Sequence, residues 1–430
     1  MKHLLLTTIA AVLMVGCGTV VAQDVSLEAT LDELVKDGSL VAAQAVVGRG
    51  DRILIDYTVG VINPEDDQKI DGETLFCIGS CSKPFASAIV MSLAEDGLLE
   101  LEQPISRYLP AFKYLKLPNA KPSERAPTMK ELLAHRAGIY SQKKGMTERQ
   151  AGWIRNFGLT LQESVKGIAS EPLISTPGSE YAYSGAGYCV VGRVAEVVSG
   201  KTFEKLLQSR IAVPFELKRT TYFPDASDKN VAAGGSEGRA NSTTPHLTEP
   251  ALRFALIGGS LYSTAQETAR FLRMVAHGET RDSNKVMKRD SWATWTSRPY
   301  AEGSYGLGWS LLGPRDNPRA EGLTHSGSLA CSRSIMLVSL SRGEYSVVHY
   351  TVASTIDNSG AKIRKAMGRA MMTKHREMWP SGANIPKPPT SSANTEARQV
   401  ENWKLKGNET NTNHNNRSRG AGGVWDFSFH

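Results

Sequence analysis

Two short apolar runs separated by a polar turn mark the start of the patterned part of the chain: residues 41–48, then Arg49-Gly50-Asp51-Arg52, then residues 53–60. Runs of this length around a Gly-containing turn predict a β-hairpin. The same shape returns near the other end. Residues 334–340, the turn Ser341-Arg342-Gly343 and residues 345–352 predict a second hairpin, followed by a helix over 359–378. Between the hairpins, apolar residues recur at helical spacing over 83–99, 128–135, 187–198, 202–211 and 264–277, with Gly138 and Gly200 as stops. Strands at both ends and helices between them predict an α+β fold, in which the terminal hairpins form one antiparallel sheet flanked by helices and the middle forms an all-helical lobe. The seam between lobes is the expected place for a site.

The two ends depart from this pattern. Met1-Lys2-His3 and the run 4–15 have the charged start and short apolar stretch of a secretory signal, whereas a membrane span needs about 20 apolar residues. Two cleavage readings stand side by side: Val20-Val21-Ala22 ahead of Gln23, or Met14-Val15-Gly16-Cys17 as a lipobox that would place a lipid on Cys17. Either predicts an exported protein, periplasmic or lipid-anchored in the cell envelope, with residues 1–22 as the signal. From about Pro380 the sequence turns to Pro, Ser, Thr and Asn, which cannot bury enough apolar surface to offset chain entropy. Residues 379–430 are therefore expected to be a disordered tail, with a docked strand at 424–429 as the second reading. Residues 23–378 remain as the folded domain.

Composition narrows the function classes. Of 430 residues, 40% are hydrophobic and 22% charged, which excludes a wholly disordered chain. Fifty Lys and Arg against 43 Asp and Glu give +7, but the tail contributes +2 and Lys2 another +1, leaving +4 on the domain. So small a scattered excess gives no reason to expect a nucleic-acid partner. Five cysteines without CxxC spacing argue against a zinc site or a disulfide scaffold.

The chemistry-bearing segment is Ser80-Cys81-Ser82-Lys83, placed where the apolar stretch 74–78 ends at Gly79 and a helix begins. Residues three apart share a helical face, so Ser80 and Lys83 can meet. The helix N-terminus adds unpaired N–H groups beside the serine oxygen, and a desolvated lysine can lose its proton and activate the hydroxyl. Alone, an SxxK is more often a serine cap with a solvated lysine.

Its surroundings change that reading. Phe76-Cys77-Ile78-Gly79-Ser80-Cys81-Ser82-Lys83-Pro84-Phe85 resembles the nucleophile segment of the serine β-lactamase and penicillin-binding-protein superfamily, most closely its class C-like branch of esterases, D-aminopeptidases and carboxypeptidases. Further segments match in order: Leu132-Leu133-Ala134-His135-Arg136-Ala137-Gly138; Tyr183-Ser184-Gly185; Gly258-Gly259-Ser260; Tyr305-Gly306-Leu307-Gly308-Trp309; and His325-Ser326-Gly327-Ser328. The resemblance implies a β-lactamase/transpeptidase-like fold with Ser80 as acylated nucleophile, Lys83 as its base and Tyr183 as a second proton shuttle. Tyr183 could itself act as a base only if Lys83 lowers its pKa. The resemblance further implies an oxyanion site between the backbone N–H groups of Ser80 and Ser328, with Gly327 letting substrate lie against the strand edge. His135 is expected to be a hydrogen-bonded structural residue. No metal or organic cofactor is implied.

Two departures bear on the substrate. The family's second motif usually reads Tyr-x-Asn, whose amide holds the substrate's acyl-side carbonyl; Gly185 has no side chain to donate. The third motif of penicillin-processing members usually begins with Lys, whereas His325 is mostly neutral at pH 7. Both favour a small-molecule ester or a short D-amino-acid peptide over a β-lactam. The alternatives are a true class C-like β-lactamase, or a catalytically weak protein that binds cell-envelope peptides. Cys77, Cys81 and Cys331 are expected to be buried free thiols, with a Cys331 bond to Cys77 or Cys81 as the alternative in an oxidising compartment.

Overall fold

The computed structural model describes residues 25–65, 67–142, 145–235, 252–278, 287–301, 303–353 and 358–378. The chain divides into a unit of residues 1–383 and one of residues 384–430. The second unit lies outside the described residues, together with the strand-like 424–429, and so does the signal segment.

Both predicted hairpins form, as β1 (Leu40–Arg49) with β2 (Arg52–Gly60) and β7 (Ser332–Ser339) with β8 (Glu344–Val352). With β5 (Ser310–Leu312) and β6 (Gly322–Leu329) they make one antiparallel sheet in the order β2-β1-β8-β7-β6-β5. β1 pairs with β8, Ala45 opposite Val348, so the two ends of the domain meet in the middle of the sheet. A separate pair joins β3 (Phe76–Cys77) to β4 (Tyr262–Ser263).

The adjacent strands β1 and β8 are buried along almost their whole length because both of their faces are covered. Successive side chains point to opposite faces. Ala45 and Val348 pack beneath α1 (Leu27–Lys36) and α10 (Ser359–Met378), with Leu31, Ile363 and Met367. Val46 and Val347 join the larger core on the other face, which holds α2 (Ser82–Glu95) and α8 (Ala265–His277). The rest of the helical lobe comprises α3 (Met129–Leu133), α4 (Glu148–Arg155), α5 (Leu161–Ser170), α6 (Gly185–Ser199), α7 (Phe203–Leu207) and α9 (Arg289–Thr296).

Helix α2 is apolar all round, with Phe85, Ile89, Val90 and Leu93 fully buried, which is the signature of a core helix. It stops at Glu95, short of the predicted 99, because Gly97 turns into the left-handed region at φ +73°. Its first turn lies at the seam of sheet and lobe, and that is what puts Ser80 there. The helices entering the site are capped by their own sequence. Thr128 Oγ1 accepts from the Glu131 N–H while the Glu131 carboxylate accepts from the Thr128 N–H, and Ser184 Oγ accepts from the Gly187 N–H at the start of α6. Among the described residues, no helix is long and apolar enough to cross a membrane.

Candidate active site

Ser80 lies in a single 3-10 turn, Gly79–Cys81, between β3 and α2. The turn is tied down from beneath. Ile78 N–H donates to the Leu261 carbonyl (2.8 Å), Ser82 Oγ donates to the Gly79 carbonyl (2.6 Å), and Ser332 Oγ donates to the Cys77 carbonyl (2.7 Å). Gly79, Cys81, Ser82 and Lys83 are buried and only Ser80 is partly exposed, so this turn presents a single hydroxyl.

Lys83 is 1% exposed, and its Nζ donates to Ser80 Oγ at 3.0 Å and to the Gly258 carbonyl at 2.7 Å. Gly258 makes this possible: a β-carbon there would lie 3.1 Å from Nζ. Burial disfavours the charged ammonium and pulls the Lys83 pKa down to about 7. Near neutral pH a substantial share of the lysine is therefore the free amine, able to take the Ser80 proton.

Tyr183 directly precedes the Ser184 cap of α6, and its phenol is near enough to Ser80 for the serine to influence its titration. Lys83 Nζ stands 4.6 Å from the centre of its ring. The structure corrects the expectation that this cation could make Tyr183 a base. Burial raises the phenol's pKa, and the neighbouring Ser80 offsets this only in part. Tyr183 stays protonated and is suited to give a proton, not to remove the first one.

On the opposite wall, β6 carries His325, Ser326, Gly327 and Ser328. Strand β5 pairs only with residues 322–324, so the next part of β6 is a free edge beside Ser80. Gly327 has a different reason from the one expected. A β-carbon on it would fall 1.9 Å from the Ile78 carbonyl oxygen and 2.9 Å from Ser80 N, so the missing side chain admits the nucleophile turn, not substrate. Likewise, a β-carbon on Gly79 (φ +54°) would fall 2.3 Å from Ser328 N. The two glycines bring the Ser80 and Ser328 amides together, as an oxyanion site requires.

His325 is neutral. Its Nδ1 lies 2.8 Å from the Ser326 carbonyl, which can only accept, so the ring proton sits there and Nε2 accepts from Tyr305 O–H at 2.9 Å. Burial and the nearby Lys83 lower its pKa to about 3. His135 is hydrogen-bonded as expected: its Nδ1 accepts from the Ser184 N–H at 3.0 Å. Cys77, Cys81, Cys189 and Cys331 are all buried thiols outside any disulfide. Among the described residues, no cluster of His, Cys, Asp and Glu is arranged to hold a metal ion.

Two site residues escape the sequence reading. Tyr305 belongs to a matching segment, but nothing in that segment points to its bond with His325. Gln142 corrects the expectation for Gly185. Its Oε1 accepts from the Gly185 N–H at 2.9 Å, and its Nε2 lies 2.3 Å from where a β-carbon at 185 would be. An amide does stand at this position, supplied from another loop.

A nucleophilic serine in the 3-10 turn that leads into a core helix, a buried lysine three residues on and a facing sheet edge define a serine hydrolase built on the β-lactamase/transpeptidase-like fold. The chain belongs to the beta-lactamase family, whose profile matches residues 27–362. It is similar to "Esterase EstB" of Burkholderia gladioli, at 30% identity over 45% of this chain and 50% of the esterase. It is also similar to "Teichoic acid D-alanine hydrolase" of Staphylococcus aureus, at 25% identity over 47% of this chain and 46% of that protein. The chain thus matches about half the length of either relative. Among solved structures, EstCE1, "a hydrolase with promiscuous acyltransferase activity", shares the fold with a TM-score of 0.68 at 20% identity, over 80% of this chain and 97% of its own.

Proposed function

We propose that the protein is an exported hydrolase that cleaves small esters through an acyl-enzyme on Ser80. The observation that carries this reading is the 3.0 Å bond between Lys83 Nζ and Ser80 Oγ, with the lysine desolvated to a pKa of about 7. Neutral Lys83 takes the Ser80 proton as Oγ bonds to the ester carbonyl carbon, and the resulting oxyanion is met by the Ser80 and Ser328 N–H groups. As the carbonyl re-forms, the carbon–oxygen bond to the alcohol breaks. Tyr183 gives its proton to the departing alkoxide and regains one from Lys83. Water then attacks the acyl-enzyme, giving one proton to Lys83 and returning Ser80 to its hydroxyl form by the reverse relay.

The substrate ranking follows from two positions. His325 offers no positive charge to a substrate carboxylate, which supports esters over β-lactams. Gln142 offers an amide to an acyl-side carbonyl, which supports D-amino-acid peptides or esters as the second class and answers the argument from Gly185 for a catalytically weak binding protein. The test is treatment with a fluorophosphonate probe followed by mass spectrometry. An adduct on Ser80 is expected, and its absence under conditions that label a related esterase counts decisively against the reading. Turnover of a p-nitrophenyl ester, a D-alanyl dipeptide and nitrocefin then ranks the substrates, and fast nitrocefin hydrolysis overturns the preference for esters.

Export rests on the sequence of residues 1–22 alone. The mature N-terminus of the expressed protein decides it: Gln23 for a soluble product, or a lipid-bearing Cys17 for an anchored one.

A further inference from the structure

Tyr183 is held on three sides by one residue. The His135 carbonyl accepts the Ala182 N–H at 2.7 Å, the His135 Nδ1 accepts the Ser184 N–H at 3.0 Å, and the imidazole lies against the Tyr183 ring with centroids 4.2 Å apart. The other anchors of this segment are Ser141 Oγ, which donates to the Tyr183 carbonyl (2.6 Å), and Ser184 Oγ, which donates to the Tyr140 carbonyl (2.7 Å). They fix carbonyl positions and the cap. The two flanking N–H groups and the ring face belong to His135.

Keeping a histidine at this point has two costs. Its backbone sits at φ +58°, a left-handed conformation that residues with a β-carbon disfavour. Because Nδ1 accepts, the neutral ring carries its proton on Nε2, which is buried without a hydrogen-bond partner. Burying apolar shape alone would require neither.

We propose that His135 is the positioning residue for Tyr183, fixing the backbone on both sides of the tyrosine and the plane of its ring so that the phenol stays beside Lys83 and Ser80. The inference rests on the reading of Tyr183 as proton donor to the leaving group. It assigns His135 no contact with substrate.

The test compares wild type, His135→Gly, His135→Asn, Tyr183→Phe and the His135→Gly/Tyr183→Phe double variant. Glycine accepts the left-handed backbone without strain and removes both acceptor and ring. Asparagine tolerates the same backbone and offers a carbonyl to the Ser184 N–H. With a p-nitrophenyl ester, His135→Gly is expected to lower kcat about 100-fold, within the range of general acid–base effects, with KM changed less than about 3-fold. His135→Asn is expected to recover at least about 10-fold of this. In the Tyr183→Phe background, His135→Gly is expected to cost less than about 2-fold more, because residues acting as a unit are not additive. Equal losses in both backgrounds would overturn the proposal, since a general loosening of the fold does not depend on the phenol.

Hydrogen exchange across residues 181–187 reads the clamp without catalysis. It is expected to quicken at least about 10-fold in His135→Gly and to stay near wild type in His135→Asn. Unchanged exchange in His135→Gly overturns the clamp whatever the turnover. Quickened exchange together with wild-type turnover in Tyr183→Phe overturns the catalytic reading of Tyr183, and with it the claim that His135 serves catalysis, while the clamp itself stands.

Discussion

Gln142 and Gly185 share one place in the cleft: the glutamine Oε1 takes the glycine N–H at 2.9 Å, and its Nε2 fills the space that a side chain at 185 would enter. The amide that the family's second motif supplies from its own helix comes instead from the adjacent loop, which is bonded to the same segment. Gln142→Ala is expected to lower kcat/KM for N-acetyl-D-alanyl-D-alanine, whose N-acetyl carbonyl lies on the acyl side, about 10-fold while changing p-nitrophenyl acetate, which has no acyl-side amide, less than about 2-fold. Equal losses on the two substrates would show that Gln142 only props the loop.

The state of Lys83 sets the pH profile. With its pKa near 7, the active free amine accumulates as pH rises, so kcat/KM should climb through an apparent pKa of about 7 and then level. Stability should follow the same group. Between about pH 7 and the unfolded lysine's pKa near 10.4 the unfolded chain binds more protons than the folded one, so this group makes stability rise with pH. Lys83→Met, of similar volume, should therefore be more stable than wild type at pH 6.5, with the gap narrowing toward pH 10. Denaturant midpoints across that range check it, and a gap that is constant or widens would mean Lys83 is not desolvated.

How much of the fold and site was legible in the sequence differs by kind of information. The hairpins could be read because their pattern is local, and Ser80 with Lys83 because three residues along one turn of the chain is a local distance. The groups that tune the pair are remote. Gly258 accepts from Lys83 across 175 residues, Gln142 meets Gly185 across 43, and Tyr305 meets His325 across 20, each through a turn whose geometry no local periodicity encodes. The protonation states were out of reach for the same reason. A tyrosine beside a lysine suggests a lowered phenol pKa, but the burial that raises it is a property of the packed lobe. The role of Gly327 shows the converse case: the residue was legible and its reason was not, because only the fold reveals that the nucleophile turn fills the space.

Acid should unfold the protein through its buried histidines. His325 and His349 are held neutral with pKa values near 3, and His135 is pushed well below its ordinary value, all chiefly by burial. From about pH 6.5 downward the unfolded chain takes up protons that the folded chain refuses, so stability falls with pH, by at most about 1.4 kcal/mol per pH unit for each histidine. His349 lies on β8, bonded to Thr268 (2.9 Å) and Ser334 (2.5 Å) away from the reacting groups. His349→Gln should make the fall between pH 6 and pH 4 visibly shallower. An unchanged slope in urea titrations would place the acid sensitivity elsewhere.

The closeness of β6 to the nucleophile turn gives the sharpest structural prediction. In Gly327→Ala the added methyl would meet the backbone oxygen of Ile78 and the backbone nitrogen of Ser80, and neither can rotate aside as a side chain would. The strand edge must therefore part from the turn, separating the Ser80 and Ser328 amides. Loss of an oxyanion donor typically costs about 100-fold to 1000-fold in kcat, and the rate of Ser80 labelling by a fluorophosphonate should fall by a similar factor. Gly152→Ala, in the interior of α4 with open space around it, is the matched control and should leave labelling unchanged while adding roughly 0.5–1 kcal/mol of stability. Wild-type labelling in a folded Gly327→Ala variant would mean that the oxyanion is met somewhere other than between these two amides.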